Sequence, residues 1–203
     1  MTRYDLVCSD DTAPDKQPRI APITEPTGDV TEMLAKGWMH DGQPLNMPLT
    51  LAHHPRLLRR FSAFAGLFLM KSELPRRDRE LLTLRSTARS GAEYYFGHHA
   101  LVAAEVGISS DMLEQIADPN RRWDGPDAEL IAVADEMIED GVLADGTWDV
   151  VRRRYNDAQA MEAILIPGFY RMVAGLENTI GVQREPGVPG WPNPRVIAPG
   201  RSG

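Results

Sequence analysis

The chain has 203 residues, 42% of them hydrophobic, so it can bury a sizeable core without a disulfide or metal staple. A formal net charge of −7 argues against general affinity for nucleic acid or anionic membrane, because a phosphate-binding surface needs a net basic face. The single cysteine, Cys8, excludes an internal disulfide, a four-cysteine zinc site and a CxxC redox pair. Neither a basic-then-apolar opening segment nor a run of about 18 apolar residues can be read, so the expectation is a cytoplasmic protein with no signal peptide and no transmembrane helix.

Residues 1–30 are rich in proline and aspartate without apolar periodicity and read as an extended or disordered arm. After Pro55, which suits a first helical position, Leu57, Phe61, Phe64 and Phe68 recur at three- and four-residue steps and define an amphipathic helix. His54, before the proline, reads as a cap or an extended residue. Pro75 opens a second helix carrying Leu81, Leu84 and Ala88 to Ser90-Gly91, and a third is expected from Ala92 to Val106, closed by Gly107. Ser109 or Ser110 caps a short helix around Met112 and Ile116. Leu130, Ala134, Met137 and Ile138 define the next helix, ending at Gly141, and Thr147 is expected to cap a short one through Trp148, Val151 and Tyr155. Met161, Leu165, Phe169, Met172, Val173, Leu176 and Ile180 mark a long apolar helix with a kink expected at Pro167-Gly168. Residues 183–203 form a Pro/Gly-rich tail that cannot be helical, with Trp191 as an anchor for its own domain or for a neighbour. No alternating strand is legible. The predicted class is all-α, a single-domain bundle of about six to eight helices over residues 31–182 with extended terminal arms.

Titratable groups concentrate between Glu80 and His99. Tyr95 and His99 share one helix face and Tyr94 and His98 another, so the two histidines point about 100° apart and serve different purposes. An antiparallel pairing of the two helices across Ser90-Gly91 brings Glu80 within reach of His98 or His99. A carboxylate beside an imidazole suits general acid–base chemistry, and Tyr95 can polarise or protonate an oxygen. Two other readings stand beside it. The histidines and tyrosines serve equally as hydrogen-bonded core or interface residues, and Glu80, Glu93, His98 and His99 are metal donors without a recognised spacing. His40, His53 and His54 add donors without a pattern. Arg76, Arg77, Arg79 and Arg152 to Arg154 read as solvated faces, and the last three make only a weak case for a recognition helix.

The run LPRRDRELLTLRSTARSGAEYYFGHHALVAAEVGIS, Leu74 to Ser109, resembles the carboxymuconolactone decarboxylase and alkylhydroperoxidase D family, and GFYRMVAGLENTIGV, residues 168–182, resembles the closing helix of many long members. The likeness covers most of residues 45–182. In thiol-dependent members a glutamate is followed after twelve residues by a CxxC pair, with a histidine four beyond the second cysteine. These positions fall here on Glu80, Ala92, Tyr95 and His99, and the residue before the second cysteine, a histidine in the peroxidases, is Tyr94. The resemblance implies an alkylhydroperoxidase D-like helical fold and a proton relay retained in Glu80 and His99. Both cysteines are missing, so the family's peroxide-reducing cycle cannot run in its usual manner.

The expected catalytic residues are therefore Glu80, Tyr95 and His99, with Tyr94, His98 and Arg85 as candidate substrate-binding residues and neither metal nor cofactor required. The expected function is a decarboxylase-type lyase or isomerase of a small unsaturated acid, lactone or carbonyl compound. The alternatives are a non-catalytic binding protein on the same fold and, less favoured, a residual alkylhydroperoxidase. The expected partners are a small-molecule substrate and further copies of the chain in a dimer, trimer or hexamer, since Phe61, Phe64, Leu67, Phe68 and Leu69 make a broader apolar surface than one seam needs.

Overall fold

A computed structural model describes residues 17–118 and 120–192. Cys8 and the tail beyond residue 192 lie outside the described residues. Nine α-helices occur among the described residues: α1 (Asp29–Ala35), α2 (Asn46–Leu51), α3 (Pro55–Met70), α4 (Arg76–Arg89), α5 (Glu93–Ala103), α6 (Ser110–Ala117), α7 (Ala128–Glu139), α8 (Asp145–Arg154) and α9 (Asp157–Ile180). The expected six to eight omitted the short α1 and α2, which are too brief to show periodicity. A two-residue hairpin, β1 (Met39–His40) paired with β2 (Gln43–Pro44), also escaped the sequence reading. Its turn uses Asp41 and Gly42, both at positive φ, the backbone that closes a two-residue hairpin loop.

Local signals explain most boundaries. The His54 Nδ1 accepts the Leu57 N–H at the start of α3, and Ser109 Oγ accepts the Met112 N–H at the start of α6. The third helix ends at Ala103 and tightens into a 3₁₀ turn, Ala104–Val106, before Gly107. Asn156 and Gln159 form a reciprocal capping box for α9, which runs without interruption through Pro167. Thr147 does not cap α8. That helix begins at Asp145, and the Thr147 hydroxyl instead donates to Glu136 on α7.

Helix α4 is the centre of the molecule, packed against α5, α6, α7 and α9, and Leu81, Leu82 and Leu84 are fully buried on it. Its buried charges are all paired. Asp78 accepts from Arg154 and from the Tyr155 hydroxyl. Arg85, 1% exposed, makes a two-armed contact with Asp135 at 2.6 and 2.8 Å and donates to the carbonyls of Ile116 and Asp118. Removing Asp135 would leave the Arg85 charge buried without its carboxylate, a loss on the order of 3–5 kcal/mol. Nor are Arg152 to Arg154 an open basic face: they pair with Asp157, Glu129 and Asp78 respectively.

Helix α9 differs from its sequence reading in which face it buries. Ala160, Ala163, Ile166, Phe169, Tyr170 and Val173 are inside, whereas Met161, Leu165 and Met172 are exposed. It meets α3 through Phe169, whose ring lies 5.4–5.7 Å from those of Phe61, Phe64 and Phe68. Leu57, Phe64, Leu67 and Met70 are likewise exposed on α3.

The described part of the tail packs on its own domain. The Trp191 ring lies 4.9 Å from that of Phe96, and the Trp191 backbone N–H donates to Glu93. The approach is close enough that a Cβ on Gly97 would stand 2.1 Å from the Pro189 carbonyl oxygen and 2.9 Å from Val188 Cγ1. Gly97→Ala is therefore expected to lift the tail and destabilise the protein by about 1–3 kcal/mol, read as a lower Tm with faster proteolysis after residue 183. An unchanged Tm and cleavage rate would contradict this packing.

Candidate active site

The Ser90-Gly91 turn sets α4 and α5 side by side, with Glu80 one helix length from the turn opposite the second half of α5. Glu80 is 2% exposed and His99 6%. His99 Nδ1 lies 2.6 Å from Glu80 Oε2, and the other carboxylate oxygen accepts from Arg79 at 2.8 and 3.2 Å. With the Nδ1 proton held by the carboxylate, His99 Nε2 presents its lone pair, which the Tyr170 hydroxyl fills at 2.8 Å. Arg79, Glu80, His99 and Tyr170 thus form one continuous polar chain. Burial alone would raise the Glu80 pKa, but the adjoining imidazole and the Arg79 guanidinium outweigh it and hold the group at about 2, against an ordinary value of 4.5. Burial and the Glu80 charge push the Tyr170 phenol upward, so it stays protonated as a neutral donor.

A cavity of about 270 Å³ adjoins this chain. Its wall includes Arg79, Glu80, Tyr94, Tyr95, His98 and His99, and the rest is largely apolar, with Met47, Phe61, Leu69 and Phe169 among the contributors. Such a volume suits a small molecule with a few polar groups. Tyr95 stands between two aromatic neighbours, 5.3 Å from the Tyr94 ring and 5.7 Å from Tyr170, and burial pushes its phenol up as well.

Five of the six residues singled out from the sequence line this cavity: Glu80, Tyr94, Tyr95, His98 and His99. Arg85 does not, and its assignment to substrate binding is corrected: Asp135 and two carbonyls consume its donors on the far side of α4. The cations on the cavity wall are Arg76 and Arg79, the pair read as solvated surface. Glu80, Glu93, His98 and His99 do not converge as a metal set. Glu80 pairs with His99, His98 with Glu185, and Glu93 with the Trp191 N–H.

Three contributors escaped the sequence. Tyr170 is hidden in an apolar stripe, and only its spacing directly after Phe169 hints at an inward position. Glu185 sits in the tail, where no periodicity identifies it. Glu177, on α9, accepts the Tyr94 N–H at the first turn of α5, and burial raises its pKa well above the carboxylate range.

Residues 55–135 match the Carboxymuconolactone decarboxylase family. The matched stretch runs from the start of α3 into α7. No curated protein matches it in sequence. Among solved structures this chain is similar in fold to the alkylhydroperoxidase AhpD core of an uncharacterized peroxidase-related protein from Ralstonia eutropha JMP134. The two share 20% identity with a TM-score of 0.69, over 84% of this chain and 95% of that one. An uncharacterized peroxidase-related protein from Silicibacter sp. TM1040 gives 16% identity and a TM-score of 0.70, over 88% of this chain and 100% of the other. The debrominase Bmp8 gives 16% and 0.63, over 82% and 92% respectively. At the positions where the thiol-dependent proteins that the sequence resembles carry cysteines, this chain has the fully buried Ala92 and the cavity residue Tyr95.

The depressed Glu80 group carries a pH signature. Its contribution to stability is fully present above the ordinary value of 4.5 and is lost as the pH falls towards about 2. Glu80→Gln is expected to make the fall of Tm across that acid window shallower, measured by thermal unfolding of both proteins. Parallel slopes would show that the carboxylate is not held low.

Proposed function

We propose that this protein is a cofactor-free lyase or isomerase that acts on a small unsaturated acid, lactone or related carbonyl compound by general acid–base chemistry. The observation that carries the reading is the Glu80–His99 pair on the wall of a cavity of about 270 Å³, with the Tyr170 hydroxyl on His99 Nε2. Glu80 fixes the His99 tautomer and stabilises the imidazolium formed when that ring takes a proton. Tyr170, a neutral phenol, holds Nε2 in a defined direction until a bound ligand competes for it. Arg76 and Arg79 offer positive charge for a carboxylate or for the oxygen of a developing enolate, and Tyr95 supports the same oxygen by hydrogen bonding.

Peroxide reduction through a thiolate is disfavoured by Ala92 and Tyr95, since neither side chain can form a disulfide. A neighbour in fold supports the expected ligand size: a cysteine-to-alanine variant of Bmp8 has been solved in complex with 2,3,4-tribromopyrrole, a small planar ring.

The test is a thermal-shift screen of wild type and His99→Ala against unsaturated acids, lactones and enolisable carbonyl compounds, followed by turnover assays on the hits. A ligand present at about 100 times its Kd stabilises the native state by about 2.7 kcal/mol, an easily read shift. His99→Ala is expected to remain folded and lose turnover by about 100-fold or more. Full activity in that variant would remove His99 from the chemistry, whereas ligands that bind wild type without turnover would leave the binding-protein reading in its place.

Self-association is the second part of the proposal. Phe64, Leu67 and Met70 of α3 and Met161, Leu165 and Met172 of α9 are large apolar side chains left in solvent, and exposed apolar surface of this kind marks interaction sites. Phe64→Glu with Met172→Glu is expected to reduce the mass seen by size-exclusion light scattering. A monomeric wild-type protein would refute it.

A further inference from the structure

The cavity has a second imidazole–carboxylate pair, built from a part of the chain that the first pair does not use. His98 Nε2 lies 2.6 Å from Glu185 Oε2, on the tail that follows α9. Glu185 is held by more than the histidine. Its other oxygen accepts the Asn46 N–H at 2.6 Å and the Tyr94 hydroxyl at 2.8 Å, while the Tyr94 oxygen accepts the Met47 N–H at 3.3 Å. The tail itself is pinned beside this point, because His40 Nε2 meets the Pro186 carbonyl oxygen at 3.0 Å. Hydrogen bonds from His98 and from the Asn46 N–H outweigh burial and keep the Glu185 carboxyl below its ordinary range, so the group is ionised at neutral pH.

An ionised Glu185 takes the Nε2 proton of His98 and leaves the lone pair on Nδ1. His98 and His99 both line the cavity, and as consecutive residues of α5 they reach it about 100° apart around the helix. Each has one nitrogen fixed by its own carboxylate. A decarboxylation needs one proton donor, for the carbanion left when carbon dioxide departs. Two independently oriented imidazoles suit a reaction that moves a proton from one carbon to another.

We propose that His98 is the general base of a two-base proton transposition, with Glu185 as its positioning residue and His99 as the acid, acting on a β,γ-unsaturated lactone or acid. This rests on the acid–base reading of the cavity and narrows it to an isomerase. In the first step the α C–H bond breaks, its proton goes to His98 Nδ1, and the electron pair moves into the conjugated system to give a dienolate. In the second step the γ carbon takes the Nε2 proton of His99 in its imidazolium form, which leaves the neutral ring whose Nε2 the Tyr170 hydroxyl caps, the double bond shifts into conjugation, and the product has the atoms of the substrate. Both imidazoles then return to their starting protonation by exchange with solvent, and no oxidant or reductant is consumed.

The experiment follows α-angelica lactone, a β,γ-unsaturated γ-lactone, by proton NMR in D₂O at neutral pH above the buffer background. It reads both loss of the α-proton signal and appearance of the conjugated isomer. Wild-type protein is expected to catalyse both. His98→Gln is expected to lose α-proton exchange by about 100-fold, with conversion falling in parallel. His99→Ala is expected to exchange the α proton while losing conversion, so the ratio of the two readouts separates base from acid in a way that a general structural defect does not. Glu185→Gln is expected to slow exchange and Glu185→Asp to recover part of it, with Tm measured on each. If His98→Gln exchanges the α proton at the wild-type rate, His98 is not the base and the two-base proposal falls, while the acid–base reading of His99 stands. If wild type catalyses neither exchange nor conversion, the acid–base reading of the cavity and this proposal fall together.

Discussion

A carboxylate with 2% of its surface exposed must be compensated on both oxygens or it protonates, and Glu80 meets that requirement with Arg79 on one oxygen and His99 on the other. Much of the local architecture follows from this. Arg79 cannot point to solvent like an ordinary helix-start arginine, because it is the cation that keeps Glu80 charged. His99 cannot choose its tautomer, because the carboxylate takes the Nδ1 proton. Tyr170 then finds an acceptor at Nε2, which explains how a phenol on the buried side of α9 is satisfied in the interior.

Helix α5 carries the consequences on several faces. His99 looks towards α4 and α9, His98 towards the tail, and Gly97 gives the tail room to come down beside them. Its first turn is met by the Glu177 carboxyl, which accepts the Tyr94 N–H. The helix is nearly apolar in composition and has no single greasy stripe, since almost every direction around it is occupied. Described from the tail, the same arrangement explains why a proline-rich segment is ordered: Glu185, Pro186 and Trp191 each make a hydrogen bond that a helix could not offer at that position.

The fold class was legible because α3, α4 and α7 carry strong punctuation, with Pro55 and Pro75 at their starts and Gly91 and Gly141 at their ends. The Glu80–His99 pair was legible because a short turn between two helices constrains which residues meet. Tyr170 and Glu185 were not, for opposite reasons. The first lies in a stripe where every position looks like core, and the second lies where no periodicity exists. Sorting α9 by size alone also failed: Met161, Leu165 and Met172 are larger than Ala160, Ala163 and Ala174, yet the alanines are inside because α9 runs close along α4 and α7. Arg85 shows the limit for charges. Its position on α4 gave no sign that Asp135, fifty residues away in sequence, would claim it.

The replacements at the two cysteine positions of the family pattern are not equivalent, and the difference bears on chemistry. Ala92 is fully enclosed at the cap of α5, so a small apolar group there closes space beside the helix end. Tyr95 instead puts a large ring and a hydroxyl on the cavity wall, next to Tyr94 and Tyr170. A thiolate site requires a group that ionises near neutral pH and gives up electrons. Three phenols whose pKa values are all pushed upward provide the reverse, groups that stay protonated across the physiological range, with the Tyr94 hydroxyl donating to Glu185 and that of Tyr170 to His99. Beside two imidazoles fixed by their carboxylates, such phenols orient hydrogen bonds and protons and have no electrons to give up at neutral pH.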